Sequence, residues 1–244
     1  MRDEIDNRRN SLYKLIGIFI IFVSLCIILY DYMIVNKSKS LKGVSKLVIN
    51  GHNKISKEEI LKILDIQEDF SIGEYDLKRL EETLSKHPRI KKAAISKRSK
   101  DQLLISITEH TVKYILNSND TLHEVNEENQ VISTNAVKEE NLVVLSGDFQ
   151  LGKSNPKKLK DFTEAANQLF GTYPKLKERI SEIHLSDDGE ITVFTYFPSR
   201  IKIFVGNKLE NIQSRKIYAS LAFFENRSVN LRLLDLRGED AVYQ

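Results

Sequence analysis

Residues 48–60 read VINGHNKISKEEI. Asn50-Gly51 follows an apolar run, and both residues tolerate the positive φ of a tight turn, so the pair ordinarily announces a β-hairpin. No second strand follows it. Ser56 and Glu59 instead make a capping box, Ser56 at N-cap and Glu59 at N3, and Ile55 and Ile60 occupy the two positions of a hydrophobic staple. The stretch therefore joins a strand to a helix.

Outward from it, VSKLVI (44–49) reads as a short strand, and Ile60, Leu61 and Leu64 give the capped helix an apolar face. A turn carrying Phe70-Ser-Ile-Gly73 leads to a second helix over 74–86, with Leu77, Leu80 and Leu84 at i, i+3 and i+7, and Pro88 stops it. Two strands follow. Ile90, Ala93 and Ile95 belong to one; Leu103, Ile105 and Ile107 alternate along the other. The order is β-α-α-β-β.

That order, with Asn-Gly after the first strand and a capping box before the first helix, resembles the POTRA domain, in particular that of the bacterial cell-division family FtsQ/DivIB. Pro88, Ile90, Ala93, Ile95, Lys97, Leu103, Ile105, Ile107 and Glu109 stand at the family's spacing. Lys100, His110 and Thr111 depart from its usual Pro, Arg and Pro.

Upstream, residues 15–30 (LIGIFIIFVSLCIILY) are uncharged, and the apolar character runs on to Val35. From Leu12 to Val35 the chain is long enough for a hydrocarbon core of ~30 Å at ~1.5 Å per residue. Lys14 can snorkel, and Tyr13, Tyr30 and Tyr32 suit the interfaces. A cleaved signal peptide would end in small residues, whereas this stretch ends Asp-Tyr-Met-Ile-Val-Asn-Lys. Basic residues on the two sides nearly balance, so orientation rests on the short N-terminal tail staying in the cytoplasm. The expected organisation is a cytoplasmic tail (1–14), a transmembrane helix (15–35), a linker (36–43), a POTRA domain (44–110) and an FtsQ/DivIB-type β domain (111–244). The fold class is α+β, the last domain being a mixed β-sheet with two or more helices. With no Pro-rich or Gly/Ser-rich stretch between the last two domains, a shared interface is expected.

Charge excludes one class of function. Net charge is +3, and residues 1–43 hold seven basic and four acidic side chains, leaving thirty of each in the remainder. A neutral body of this kind lacks the concentrated basic face that nucleic-acid binding needs. Seven basic residues lie between 86 and 100 (Lys86, Arg89, Lys91, Lys92, Lys97, Arg98, Lys100), and they read as a solvated hairpin rim or a surface for an anionic partner. Cys26, in the apolar stretch, is the single cysteine, so no internal disulfide is available.

In the second half, Asn126-Glu-Glu-Asn129 reads as a turn between short strands. Asn155-Pro156 starts a helix with Phe162, Ala165, Ala166, Leu169 and Phe170 on its apolar face. Ile183 and Leu185, the turn Asp187-Asp188-Gly189, and Ile191, Val193 and Thr195 form a hairpin; Ile201, Ile203 and Val205 make a further strand. Residues 208–224 read as helical, with Leu209, Ile212, Ala219 and Phe223 as buried candidates. The chain closes in VNLRLLDLRGEDAVYQ (229–244), whose LDLR resembles the family's terminal signature.

No catalytic constellation stands out. HExxH, GxSxG and P-loop patterns are absent. Ser154-Asn-Pro-Lys157 matches S-x-x-K alone, Asp187-Asp188 sits in a turn, and His52, His87, His110, His123 and His184 lack metal-ligand spacing. No cofactor, metal, small-molecule substrate or nucleic acid is expected, and the chain is read as non-enzymatic. The resemblance implies a single-pass scaffold of the division septum that recruits FtsB/DivIC-like and FtsL-like bitopic proteins. The alternative is a membrane-anchored, chaperone-like POTRA module for exported or outer-membrane proteins. Edge pairing supplies the physical route to a partner. By the resemblance, Asp235, Leu236 and Arg237 form the terminal strand, and Gly238, Ala241, Val242 and Tyr243 the turn and edge that meet the partner. On this reading Val242→Pro removes a ladder donor and abolishes binding without disturbing the fold.

Overall fold

The structure is a computed structural model that describes residues 23–30, 46–66, 76–99, 101–149, 151, 157–197, 199–225, 227 and 231–244. Residues 23–30 are helical and exposed. The rest of the span expected to cross the membrane, the N-terminal tail and the 36–43 linker lie outside the described residues. Among the described residues no helix is long and apolar enough to cross a membrane.

The chain forms two compact units. One holds the described residues up to His52, with Ser56–Leu84 and Ala93–Ile107; the other takes in Asn53–Ile55, Ser85–Lys92 and Thr108–Gln244. Strand β1 (Lys46–Asn50) is followed by helices α1 (Lys57–Leu64) and α2 (Leu77–Ser85) and strands β2 (Ile90–Lys97) and β3 (Gln102–Glu109). The expected β-α-α-β-β order is therefore present. Sheet order is β1-β3-β2, with β1 parallel to β3. Gly51 explains the missing hairpin. It has φ +80°, and a Cβ there would lie 2.0 Å from the Ile107 carbonyl oxygen, so only glycine lets the chain pass β3 so closely. Ser56 Oγ accepts the Glu59 amide at 3.1 Å, and α1 closes on Asp65 in the left-handed region. Helix α2 begins three residues later than the sequence reading because Asp76 caps it, its Oδ1 accepting the Lys78 amide at 3.0 Å. Leu80 and Leu84 are buried, as are Leu103, Ile105 and Ile107 on alternate positions of β3.

In the second unit, β4 (Tyr114–Ser118), β5 (Thr121–Val125), β6 (Val131–Thr134), β7 (Val144–Gly147), β8 (Ile180–Leu185), β9 (Ile191–Thr195), β10 (Lys202–Gly206), β11 (Leu233–Asp235) and β12 (Val242–Tyr243) form one sheet. Its order is β12-β11-β10-β9-β8-β7-β4-β5-β6. Strands β4, β7 and β8 run parallel side by side, and β10 is parallel to β11. Helices α3 (Lys157–Thr172) and α4 (Asn211–Glu225) cover the face that carries Leu116, Leu145, Ile183, Val193, Ile203 and Leu234; Leu169 of α3 and Leu221 of α4 pack in the same core. The turn at 126–129 is present, with the Asn126 amide donating to the Gln130 carbonyl at 3.1 Å and Asn129 at φ +61°. Residues 155–156 lie outside the described residues, so the helix start expected there is not placed.

Two expectations are corrected. On α4 the buried residues are Ser214, Ile217, Leu221 and Phe224. Ala219 is exposed, Ile212 is 65% exposed and Phe223 45%; Leu209, just before the helix, is buried as expected. Apolar side chains occur on both sides of α4, so spacing alone does not choose the face. Arg89 is the second correction. It belongs to no solvated rim: its guanidinium is buried and ion-paired with Glu124 on β5.

Glu124 is fully buried and has further donors. Ser133 Oγ donates to Oε2 at 2.6 Å, and the Lys138 and Glu139 amides donate to Oε1 at 2.7 and 2.8 Å. Glu109 does similar work at the Asn53–Ile55 loop. Its carboxylate accepts the amides of Asn53, Lys54 and Ile55 at 2.5, 3.0 and 3.2 Å.

Burial alone would raise the Glu124 carboxyl. The Ser133 hydroxyl, the two amides and the Arg89 charge more than offset that and hold it below its ordinary value of 4.5. A depressed folded-state value stabilises the fold above the unfolded value and loses that contribution as pH falls through the folded one. Glu124→Gln leaves Arg89 buried without a counter-charge and is expected to lower stability by about 3–5 kcal/mol at neutral pH. Denaturant titrations of both chains at pH 7 and below pH 4 check this, with the gap between them narrowing at the lower pH.

Candidate partner-binding edge

The C-terminal strands form one margin of the nine-stranded sheet. The Gln244 amide donates to the Leu233 carbonyl at 3.0 Å, and the Leu233 amide donates to the Gln244 carbonyl at 3.1 Å. Such mutually bonded pairs recur at every second residue of an antiparallel ladder. Asp235 and Val242, in register two residues along, are the next such pair. The backbone donor and acceptor of Val242 therefore face inward, onto β11. Those of Ala241 and Tyr243 face outward, where no strand of the described residues lies. This reverses the sequence reading of Val242: proline there breaks an internal pair, and the free donor beside it belongs to Tyr243.

The side chains expected to meet a partner divide into three sets. Leu236 is fully buried, and its amide donates to the Phe204 carbonyl at 2.9 Å, so it anchors the strand rather than facing a partner. Asp235 and Arg237 bind each other. Arg237 Nε donates to Asp235 Oδ1 at 2.9 Å, Nη2 donates to Oδ2 at 2.6 Å, and the Arg237 amide adds a bond at 3.0 Å. The Arg237 hydrogen bonds hold the Asp235 carboxyl below its ordinary value, and Asp235 raises Arg237 in turn. The guanidinium lies 5.1 Å from the Phe204 ring centre and Lys202 Nζ 4.8 Å from it. The Gly238 carbonyl accepts Lys216 Nζ at 2.6 Å. Ala241, Val242 and Tyr243 are exposed, Val242 at 65% and Tyr243 at 58%.

An aromatic wall stands beside this edge. The Tyr243 ring packs edge-on to Phe224, with centres 5.0 Å apart. Phe224 meets exposed Phe223 at 5.2 Å, and the Arg227 guanidinium lies 4.0 Å over the Phe223 ring. Sequence reasoning missed Phe224 and Arg227 and buried Phe223. The one available signal was the Phe223-Phe224 pair itself, since neighbours on a helix point about 100° apart and cannot both enter a narrow core stripe.

The other groups weighed earlier are dispersed. Ser154 lies outside the described residues, and Lys157 opens α3. Asp187 and Asp188 sit in the β8–β9 turn, with Gly189 at φ +87°. His123 bonds Thr134 at 2.9 Å, and His110 lies 3.2 Å from Asn126 Nδ2. Among the described residues no group of three or more His, Cys, Asp or Glu side chains could hold a metal ion.

Two comparisons with known proteins bear on this arrangement. Residues 42–110 match the family model of the POTRA domain, FtsQ-type. The chain is also 26% identical over 203 residues to the cell division protein DivIB of Bacillus subtilis (strain 168), across 83% of this chain and 70% of that protein. The chain is thus similar to DivIB over most of its length and to the FtsQ-type POTRA domain near its start. The FtsQ-type match includes Gly51, the Ser56 cap and Glu109, three residues whose contacts fix how the first strand leads into the first helix.

The parity of β12 has a measurable consequence. Amide exchange at Leu233 and Asp235 is expected to accelerate in Val242→Pro, where an inward pair is lost. It is expected to stay close to that of the unmodified chain in Tyr243→Pro, because an outward donor on an edge strand can be lost without breaking the ladder.

Proposed function

We propose that this chain is a cell-division protein: a non-enzymatic, single-pass membrane scaffold of the bacterial divisome that regulates septal peptidoglycan synthesis by recruiting partner proteins. In this reading residues 15–35 span the cytoplasmic membrane, the short N-terminal tail is cytoplasmic, and the bulk of the chain lies outside, at the division septum. The partners are FtsB/DivIC-like and FtsL-like bitopic proteins. Similarity to a protein named for cell division supports the setting. The observation that carries the mechanism is the outward-facing backbone of Ala241 and Tyr243 beside Phe223 and Phe224.

A partner segment entering as an extra strand would pair with those outward groups. Hydrogen bonds alone do not suffice. Each contributes roughly 0.5–1.5 kcal/mol net, while association costs an estimated 4–15 kcal/mol in lost rigid-body freedom. Burying an aromatic or aliphatic side chain contributes about 1.5–3 kcal/mol. The exposed Val242, Tyr243 and Phe223 side chains thus decide whether the strand stays bound.

The test combines location and capture. A fluorescent fusion of the full chain is expected to gather at the septum and to co-purify a DivIC-like partner. Tyr243→Pro is expected to reach the membrane fraction but lose the partner, and Phe223→Ala to weaken capture by about tenfold, the equivalent of roughly 1.4 kcal/mol. Uniform distribution around the cell with unchanged capture by both variants would refute the scaffold reading.

A further inference from the structure

Thirty basic and thirty acidic side chains lie beyond residue 43, but the nine-stranded sheet does not mix them evenly. Backbone hydrogen bonds trace one end of its strands. The Tyr196 amide donates to the Arg179 carbonyl at 2.9 Å, Thr195 to Ile201 at 3.1 Å, Lys202 to Arg232 at 3.0 Å, and Arg232 to Gln244 at 3.1 Å. The start of β8, the β9–β10 connection and the approach to β11 therefore share one rim. Helix α4 ends at this rim, since Glu225 pairs with Arg179, and the 3₁₀ helix Pro174–Glu178 leads from it into β8. Among the described residues of 173–179, 196–202 and 223–232, seven side chains are basic and two acidic, one of the two being Glu225. The opposite end of the sheet carries Asp120, Asp148, Asp187 and Asp188.

The basic rim also exposes aromatic rings. Tyr196 is 53% exposed and Phe197 50%. Both sit on the β9–β10 connection, and β11 lies between that hairpin and β12. Around them Lys175, Lys177, Arg200 and Arg227 are exposed. The two kinds of side chain ask for different surroundings. The rings gain by leaving water for an apolar layer, and the ammonium and guanidinium groups gain beside anions. A soluble polyanion would satisfy the charges alone, and an apolar protein groove the rings alone. The interface of an anionic bilayer supplies both within a few ångströms: phosphates lie just above the acyl boundary, and long basic side chains reach them by snorkelling while rings enter below.

We propose that this rim docks on an anionic phospholipid surface. Tyr196 and Phe197 enter the headgroup layer, and Lys175, Lys177 and Arg200 lie against lipid phosphates. The proposal rests on the membrane reading of residues 15–35 for a bilayer within reach, and not on the partner edge, since neither ring belongs to β12.

The sequence contains no Trp, so Phe197→Trp places a single fluorescent reporter on the rim. Leu122→Trp, 39% exposed at the opposite end of the sheet, is the control reporter. The full chain is added to brominated vesicles of phosphatidylcholine alone or mixed with phosphatidylglycerol. Flotation with phosphatidylcholine vesicles reports the membrane span by itself, and bromine quenching of the reporter reports the rim, whether or not the span inserts. Emission from Phe197→Trp is expected to be quenched and to shift to shorter wavelength in the mixed vesicles only, and to recover as salt rises. Leu122→Trp is expected to stay unquenched in both. Lys175→Gln, Lys177→Gln and Arg200→Gln together, all exposed, are expected to weaken docking by about fivefold per charge with an unchanged melting temperature. No quenching of Phe197→Trp in the mixed vesicles would overturn the proposal and leave an acidic protein surface as the rim's complement. Equal quenching in phosphatidylcholine alone, or quenching untouched by the triple substitution, would overturn it as well.

Discussion

One buried carboxylate organises much of the larger unit. Glu124 reaches no solvent, and a lone charge in that position would be strongly unfavourable. It is met by the Arg89 guanidinium, the Ser133 hydroxyl and two backbone amides, so its lone pairs are used. Three separate segments, 85–92, the end of β6 and the 138–139 loop, thereby converge on one side chain of β5. A pair of this kind adds little net stability over an apolar replacement, but removing one member leaves the other stranded. Its role here is to tie those segments together, since each supplies a donor to the one carboxylate.

The C-terminal margin follows a different constraint, the two-residue period of a strand. Because Leu233 and Gln244 exchange both of their bonds, the facing of every group from Ala241 to Gln244 is determined. That parity separates residues that hold the strand from residues that present it. Leu236 and Val242's backbone belong to the first set, Tyr243's backbone and ring to the second. Asp235 and Arg237, which look in the sequence like an exposed recognition pair, are occupied with each other and with the Phe204 ring.

Local signals made the small domain legible from sequence. Asn50-Gly51, the Ser56 cap, Pro88 and the alternation of Leu103, Ile105 and Ile107 each act within a few residues, and together they specify β-α-α-β-β. The nine-stranded order of the large sheet was not legible, because β4 neighbours β7 and β7 neighbours β8 across connections of 25 residues or more. Nor could Arg89 be told from its six basic neighbours, since its partner lies 35 residues further on. Helix α4 defeated the pattern for another reason: with Ile212 and Phe223 on one side and Ile217, Leu221 and Phe224 on the other, periodicity fits two faces. The site residues were found by position near the end of the chain, but their roles depend on strand parity, and a two-residue strand carries too little sequence to reveal it.

The parallel heart of the large sheet bears on how quickly it assembles. Hairpins such as β4–β5 and β8–β9 close short loops. The β4–β7 and β7–β8 pairings require distant stretches of chain to meet, and closure entropy grows with the length enclosed. Topologies dominated by such remote pairings fold slowly at a given stability. The β10–β11 pair is a third such return, so refolding is expected to be limited by these parallel pairings, with the short-loop hairpins closing sooner.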